Sequence, residues 1–161
     1  MTPTPPAYAP WSEALAGQII DTHAGAEGAL LPIFHALQAA FGWISDDAVA
    51  MAAHRLNISR AEAHGALTFY HDFRRKPAGR RVLKLCRAEA CQARGGREAQ
   101  ARAEAALGVE IGETTPDGEV TLEATYCLGL CASGPAAMLD GGVRARLTGA
   151  RLERLLAEAR A

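Results

Sequence analysis

The chain has 161 residues, with 17 Lys and Arg against 18 Asp and Glu, and a formal net charge of −1. This balance gives no reason to expect a nucleic acid or an anionic membrane as the partner. Hydrophobic residues make up 49% and charged residues 22%, which is typical of a globular protein with its own core. No apolar run approaches the roughly 20 residues that cross a bilayer, so we predict no direct membrane insertion.

Residues 1–10 contain four prolines, which predicts a flexible Pro-rich arm. The same segment lacks the basic start and apolar stretch of a secretory signal, so we predict a cytoplasmic protein. Cytosolic thiols stay reduced. The four cysteines are therefore expected to be metal ligands or catalytic groups and not two disulfides.

Residues 11–78 have the pattern of a helical bundle. Apolar residues recur at helical spacing over residues 30–41. Ser45 precedes two aspartates, which indicates a helix start. Ser59 with Glu62 three positions later predicts a capping box at the start of the next helix. Because no β-rich run precedes residue 80, we predict three or four helices.

Residues 79–161 change to a mixed pattern after the Lys-Pro-Ala-Gly break at 76–79. Four strands are predicted, over residues 81–86, 120–126, 136–139 and 143–147. One helix is predicted from Gly95-Gly96 to Leu107, and Thr148 can cap a last helix. The chain is thus predicted to be α+β, a helical bundle followed by an α/β domain with a mixed sheet.

The four cysteines form two pairs, Cys86 and Cys91 at C-x4-C spacing and Cys127 and Cys131 at C-x3-C spacing. Each pair lies where a predicted strand ends and a loop begins, so two such loops at one sheet edge can bring four thiolates together. A [2Fe–2S] cluster needs two thiolates on each iron. Structural zinc more often uses C-x2-C spacing, and it remains the main alternative.

The residues around the cysteines favour the same interpretation. Gly129 and Gly134 allow tight turns that bring backbone N–H groups close to sulfur. Leu128, Leu130 and Pro135 would supply apolar cover.

Three segments resemble a known family. They are LLPIFHALQAAFGWIS (30–45), ISRAEAHGALTFY (58–70) and CLGLCASGPAAML (127–139). Together with the C-x4-C pair they resemble the thioredoxin-like [2Fe–2S] subunit family of NADH dehydrogenases, the 24-kDa subunit family of complex I. The resemblance implies a thioredoxin-like domain over residues 79–161 and one [2Fe–2S] cluster. Its implied ligands are Cys86, Cys91, Cys127 and Cys131.

Two further segments, TFYHDFR (68–74) and KLCRAEACQARGG (84–96), look like the gamma subunit of NAD-dependent, molybdenum-containing formate dehydrogenases. Respiratory members tend to have Gly-Thr where this chain has Ala88-Glu89. The resemblance implies two partners, a flavin- and NAD-binding subunit and a molybdenum-containing catalytic subunit. It implies no catalytic residue in this chain. Equivalent subunits of NADH:quinone oxidoreductases and NAD-linked hydrogenases remain alternatives.

Other features allow different interpretations. Residues 52–67 superficially resemble a helix-turn-helix, so a DNA-binding protein with structural zinc is an alternative of another class, although Arg60 is the only Lys or Arg in the second helix. His64 and His71 are expected to be surface residues rather than ligands. Phe69, Tyr70 and Phe73 are either core residues or a docking patch. A basic run, Arg74 to Lys76 with Arg80 and Arg81, is expected to be a solvated linker, and the alternative is that it docks against an acidic face of a neighbouring subunit.

Overall fold

The computed structural model describes residues 8–161, and these form two compact units, residues 8–77 and residues 78–161. Residues 1–7 of the predicted arm lie outside the described part. Within residues 8–10, the Ala9 N–H donates to the Ala40 carbonyl at 2.9 Å.

The first unit contains four helices in the described residues: α1 (Glu13–His23), α2 (Leu30–Phe41), α3 (Asp46–Arg55) and α4 (Arg60–Phe69). Ser45 caps α3 by accepting a hydrogen bond from the Ala48 N–H at 3.0 Å. Ser59 and Glu62 form both bonds of a capping box at the start of α4. Both predicted helix starts are therefore confirmed, because each serine satisfies an N–H that the helix leaves free.

The core of this unit is apolar and includes three fully buried side chains of α2, those of Ile33, Phe34 and Leu37. The three aromatic residues Phe69, Tyr70 and Phe73 of segment 68–74 divide between core and surface. Phe73 is buried against Phe34, with the ring centroids 5.6 Å apart, whereas Phe69 is 72% and Tyr70 44% exposed. Phe73 is thus a core residue and Phe69 is a surface residue.

The second unit contains four strands and three α-helices: β1 (Arg81–Cys86), α5 (Glu89–Ala93), α6 (Gly96–Leu107), β2 (Val120–Thr125), β3 (Ala137–Leu139), β4 (Gly142–Arg144) and α7 (Ala150–Arg160). The strand order is β2-β1-β3-β4. β1 pairs in parallel with β2, and the other two pairings are antiparallel. The predicted α+β class with a mixed sheet is confirmed.

The sheet packs with α6 and α7 in one core, where Leu83, Leu122 and Leu139 are fully buried. Burying a leucine side chain contributes about 1.5–3 kcal/mol, so these residues fix the sheet against its helices. None of the described helices has the length and apolar character needed to cross a membrane.

Three details differ from prediction. Residues 145–147 leave the sheet because Arg146 takes a left-handed φ of 54°, which ends β4 at Arg144. The N-cap of α7 is Gly149, without a side-chain cap, so the cap expected from Thr148 was wrong. The short helix α5 has no counterpart among the predicted elements.

The basic run is not a uniform solvated linker. Arg81 is buried and pairs with the carboxylate of Asp140, which also accepts the Val82 N–H at 2.7 Å. Arg80 pairs with Glu119. The expectation of a solvated run was therefore wrong for Arg81, since the β3–β4 turn places a carboxylate beside it.

Candidate metal centre

The parallel pairing of β1 and β2 brings the two cysteine segments to the same edge of the sheet. In this register Cys86, the last residue of β1, lies opposite Thr125, the last residue of β2. Cys127 follows two residues later. Because neighbouring parallel strands end at one edge, the loops that carry the cysteines are neighbours.

Cys86 and Cys91, which we call the inner pair, are buried. Their side chains are 5% and 1% exposed. Cys86 is held by β1, and its N–H donates to the Ala136 carbonyl at 3.0 Å. Cys91 lies in α5, directly before α6. A Cβ on Gly96 would lie 2.7 Å from the Cys91 carbonyl oxygen, so this close approach of α5 and α6 requires glycine.

Cys127 and Cys131, the outer pair, are exposed. Their sulfur atoms are 3.7 Å apart. Cys127 has a φ of 102°, and Cys131 begins a short 3₁₀ helix, Cys131–Ser133. The Gly129 N–H donates to the Cys127 sulfur at 3.4 Å, as the glycine in this loop led us to expect.

Backbone N–H groups converge on the sulfur of Cys86. They come from Ala88, Cys127 and Leu128. Burial raises the pKa of the Cys86 thiol, but these donors together with the Cys91 thiol outweigh burial and hold the pKa below its ordinary value. Two of these N–H groups belong to the loop that carries Cys127, so that loop lies beside Cys86 and influences its thiol.

The other two shifted thiols have raised pKa values. Burial is the main reason that the pKa of Cys91 is raised, and the neighbouring Cys86 adds to it. The pKa of Cys131 is raised first by its hydrogen bond with Cys127 and then by repulsion between the two sulfurs as anions. A cation shared by these sulfurs would reverse both effects, because a bound metal deprotonates a thiol outright.

The apolar cover predicted around the cysteines is present. Leu128 and Leu130 pack against the inner pair and Ala136, and Pro135 is buried. A Cβ on Gly134 would lie 3.3 Å from the Cys91 sulfur, so glycine gives this thiol its space. The cover keeps water from the inner pair and leaves the outer pair open.

All four cysteines are free thiols. They lie as two close pairs, and within residues 8–161 no group of three or more His, Cys, Asp or Glu side chains could hold a metal ion. The paired arrangement fits a two-iron cluster, which takes two thiolates on each iron, better than a single zinc ion that takes all four. His64 and His71 are both exposed in the first unit.

Two parts of this site, helix α5 and the backbone N–H donors to sulfur, could not be predicted from the sequence. Helix α5 has only five residues, which is too short to show a helical period. The donors from Ala88 and Ala136 are backbone N–H groups, which every residue except proline carries, so residue type does not identify them.

Fold and thiols together define a small α+β iron–sulfur protein, and comparison with known proteins agrees. Residues 16–160 match the family model of the thioredoxin-like [2Fe-2S] ferredoxins. The chain belongs to this family. Its proteins bind a [2Fe–2S] cluster, so the predicted thioredoxin-like fold and the predicted cofactor are confirmed.

Two curated relatives are similar to this chain over most of its length. One is an NADH-quinone oxidoreductase subunit of Escherichia coli (strain K12), which is 38% identical over 115 residues that cover 71% of this chain and 69% of that protein. The other is the NADP-reducing hydrogenase subunit HndA of Solidesulfovibrio fructosivorans, which is 28% identical over 141 residues, covering 88% and 82%.

A solved structure has the same fold. The crystal structure of an NAD+-reducing [NiFe]-hydrogenase in the H2-reduced state matches 81% of this chain with a TM-score of 0.68 and 24% identity. This chain spans only 22% of the hydrogenase chain it matches. At this identity the likeness shows the fold alone.

Proposed function

We propose that this chain is an electron-transfer subunit that holds its [2Fe–2S] cluster through Cys86, Cys91, Cys127 and Cys131. The observation that carries the proposal is the meeting of two cysteine pairs at one sheet edge, one pair buried and one exposed. When bound, the cluster supplies a store for one electron.

The surroundings of the two cysteine pairs determine from which side electrons can reach the cluster. The inner pair is surrounded by leucines and by N–H donors, which stabilise negative charge on sulfur without water. The outer pair lies in an exposed loop. We therefore propose that electrons enter and leave on the side of Cys127 and Cys131, where a partner can approach closely.

We further propose that the partners belong to a cytoplasmic NAD-linked complex. Both curated relatives are named as subunits of an NADH- or NADP-linked oxidoreductase. The segments at 68–74 and 84–96 favour a molybdenum-containing formate dehydrogenase, in which a flavin- and NAD-binding subunit would contact this chain and a molybdenum-containing subunit would oxidise formate. The chain itself would carry no substrate site.

Two candidate functions have specific support besides this one. The 38% identity to the Escherichia coli protein favours an NADH:quinone oxidoreductase, and the long match to HndA favours a hydrogenase. All three candidates place the same cluster subunit in complexes with different electron donors. The family match leaves the helix-turn-helix interpretation without support.

The cluster is tested first, on the chain purified anaerobically. About two irons and two acid-labile sulfides per chain, with an EPR signal of spin one half after dithionite, are expected. One zinc per chain with no sulfide would overturn the proposed ligand set and its electron-transfer role.

The complex is tested by an affinity tag on this chain in its native host, with the untagged host as the control. A formate dehydrogenase is expected to co-purify with molybdenum and to reduce NAD+ with formate. Nickel and H2-dependent NAD+ reduction would identify a hydrogenase instead. NADH-dependent quinone reduction would identify the respiratory enzyme.

A further inference from the structure

A basic groove lies between the loop after β4 and helix α7. It has a volume of about 340 Å³, and its charged rim is formed by Arg144, Arg151 and Arg154. Leu147 and Leu155 line it as well, and both are buried. We call this feature the arginine groove.

The arginine groove brings two unpaired cations together, whereas several other arginines of the second unit form ion pairs. Arg80, Arg81 and Arg102 each form an ion pair with a carboxylate. By contrast, the guanidinium groups of Arg151 and Arg154 make no ion pair or hydrogen bond with any residue from 8 to 161.

One arginine of the rim is fixed in place. Arg144 donates to Glu158 at 2.9 Å, and both side chains are about 30% exposed. Glu158 offsets the charge of Arg144, so the net positive charge of the groove comes from Arg151 and Arg154 on α7.

The arginine groove is tied to the loop of the outer cysteine pair. The Arg146 N–H donates to the Ser133 carbonyl at 2.8 Å, and the Leu147 N–H donates to the Pro135 carbonyl at 3.0 Å. Ser133 ends the 3₁₀ helix that Cys131 begins. A molecule bound in the groove would therefore contact a segment that is hydrogen-bonded to Ser133 and Pro135, two and four residues after Cys131.

We propose that the arginine groove binds an acidic segment of a partner protein and so positions that partner beside Cys127 and Cys131. The inference deepens the proposed function and rests on it. Guanidinium groups pair with carboxylates in a forked geometry, and two unpaired guanidinium groups lie together on α7. A nucleic acid fits less well because the groove has no aromatic residue in its lining on which a base can stack.

The first test uses the full chain and a fluorescent ten-residue polyglutamate peptide as the probe. Fluorescence anisotropy should show binding that weakens as salt is raised. The double variant R151E/R154E is expected to bind at least about tenfold more weakly, because it replaces attraction by repulsion. The matched variant R60E/R97E makes the same charge change at exposed positions outside the groove and should stay within about twofold of the wild type.

Three results would overturn the groove as an acidic-segment site. They are equal weakening in both double variants, unchanged binding in R151E/R154E, and tighter binding of a single-stranded oligonucleotide than of the peptide. Circular dichroism and the visible absorption of the cluster are recorded for each variant. If R151E/R154E loses either signal, it is replaced by R151Q/R154Q, with R60Q/R97Q as its control.

The second test uses the flavin subunit that co-purifies with the tagged chain. Stopped-flow association at low ionic strength should be at least about tenfold slower for R151E/R154E than for R60E/R97E. Equal rates would overturn the groove proposal while leaving the proposed function intact. If the wild-type chain captures no flavin subunit, the proposed function fails instead, and the peptide result still decides whether the groove binds acidic segments.

Discussion

The inner and outer cysteine pairs have the same side chains in opposite surroundings. Cys86 and Cys91 are held by a strand and a helix and are almost fully buried. Cys127 and Cys131 lie in a loop and a 3₁₀ turn and are exposed. Regular structure therefore fixes one half of the site, while an open loop makes the other half accessible.

The inner and outer pairs also differ in the origin of the backbone N–H groups near their sulfur atoms. Donors from both loops meet at Cys86, whereas Cys127 receives the N–H of Gly129 from its own loop. The inner pair therefore depends on correct packing of the whole unit. The outer pair depends more on local loop conformation.

Replacing a cysteine should have the largest effect, which is on iron content, and should show most clearly how the inner pair differs from the outer pair. We expect Cys91→Ser to lower iron content at least about tenfold, because a buried hydroxyl does not ionise there and water has no access. Cys131→Ser should lower it by only roughly two- to threefold, since solvent can supply an oxygen ligand. Iron analysis and visible spectra measure both variants. Equal losses of iron would contradict the proposed difference between the inner and outer pairs.

The next largest effect concerns the glycine behind the inner pair. Gly96→Ala should destabilise the protein by about 1–3 kcal/mol, because the new Cβ would meet the backbone of Cys91. Gly65→Ala is the matched control, in α4 with nothing within 4 Å of its Cβ. It should stabilise by about 0.5–1 kcal/mol. Denaturant unfolding measures both, and the two changes should have opposite signs.

The glycine of the outer loop should matter less. Gly129 has a φ of 74° and open space around it, so Gly129→Ala costs about 1 kcal/mol in backbone strain alone. Gly129→Asn should cost less, since asparagine tolerates this region. If unfolding experiments gave Gly129→Ala a larger effect than Gly96→Ala, the inner pair would not be the more tightly packed one.

The smallest expected effect is on thiol reactivity in the cluster-free protein. Because Cys127 raises the pKa of Cys131, less of Cys131 is thiolate near neutral pH and alkylation is slow. Cys127→Ala removes this cause, lowers the pKa and should speed alkylation of Cys131 a few-fold at pH 7. The rates should converge at a pH above both pKa values. Mass spectrometry of the Cys131 fragment follows the reaction, and an unchanged rate at pH 7 would contradict the assigned coupling.

Local signals in the sequence were sufficient for much of the fold. Ser45 and the Ser59–Glu62 pair mark helix starts because capping involves residues three positions apart. The strand 81–86 was predicted from its alternation of polar and apolar residues, and the structure has the same bounds. The prediction of residues 145–147 as strand failed, because hydrogen bonds from Arg146 and Leu147 to distant carbonyls draw the chain away from the sheet.

The site was predictable in composition but not in arrangement. Cysteine spacing and the flanking glycines pointed to a two-iron centre, and the apolar neighbours of the cysteines are in place. Which pair would be buried depends on how α5 packs against α6 and the 3₁₀ helix Cys131–Ser133, and α5 is too short to have a period. The pairing of Arg81 with Asp140 likewise joins residues 59 positions apart, so neither sequence neighbourhood shows it.

The parallel pairing of β1 with β2 also sets an order of events during synthesis. Cys86 leaves the ribosome about forty residues before Cys127, yet the two loops meet only after a helical crossover has folded and the second strand has joined the first. Such non-local pairing is a late and slow step in folding. The proposed ligand set is therefore complete only once the sheet has formed, and we expect loading with iron and sulfide to follow the parallel pairing of β1 with β2.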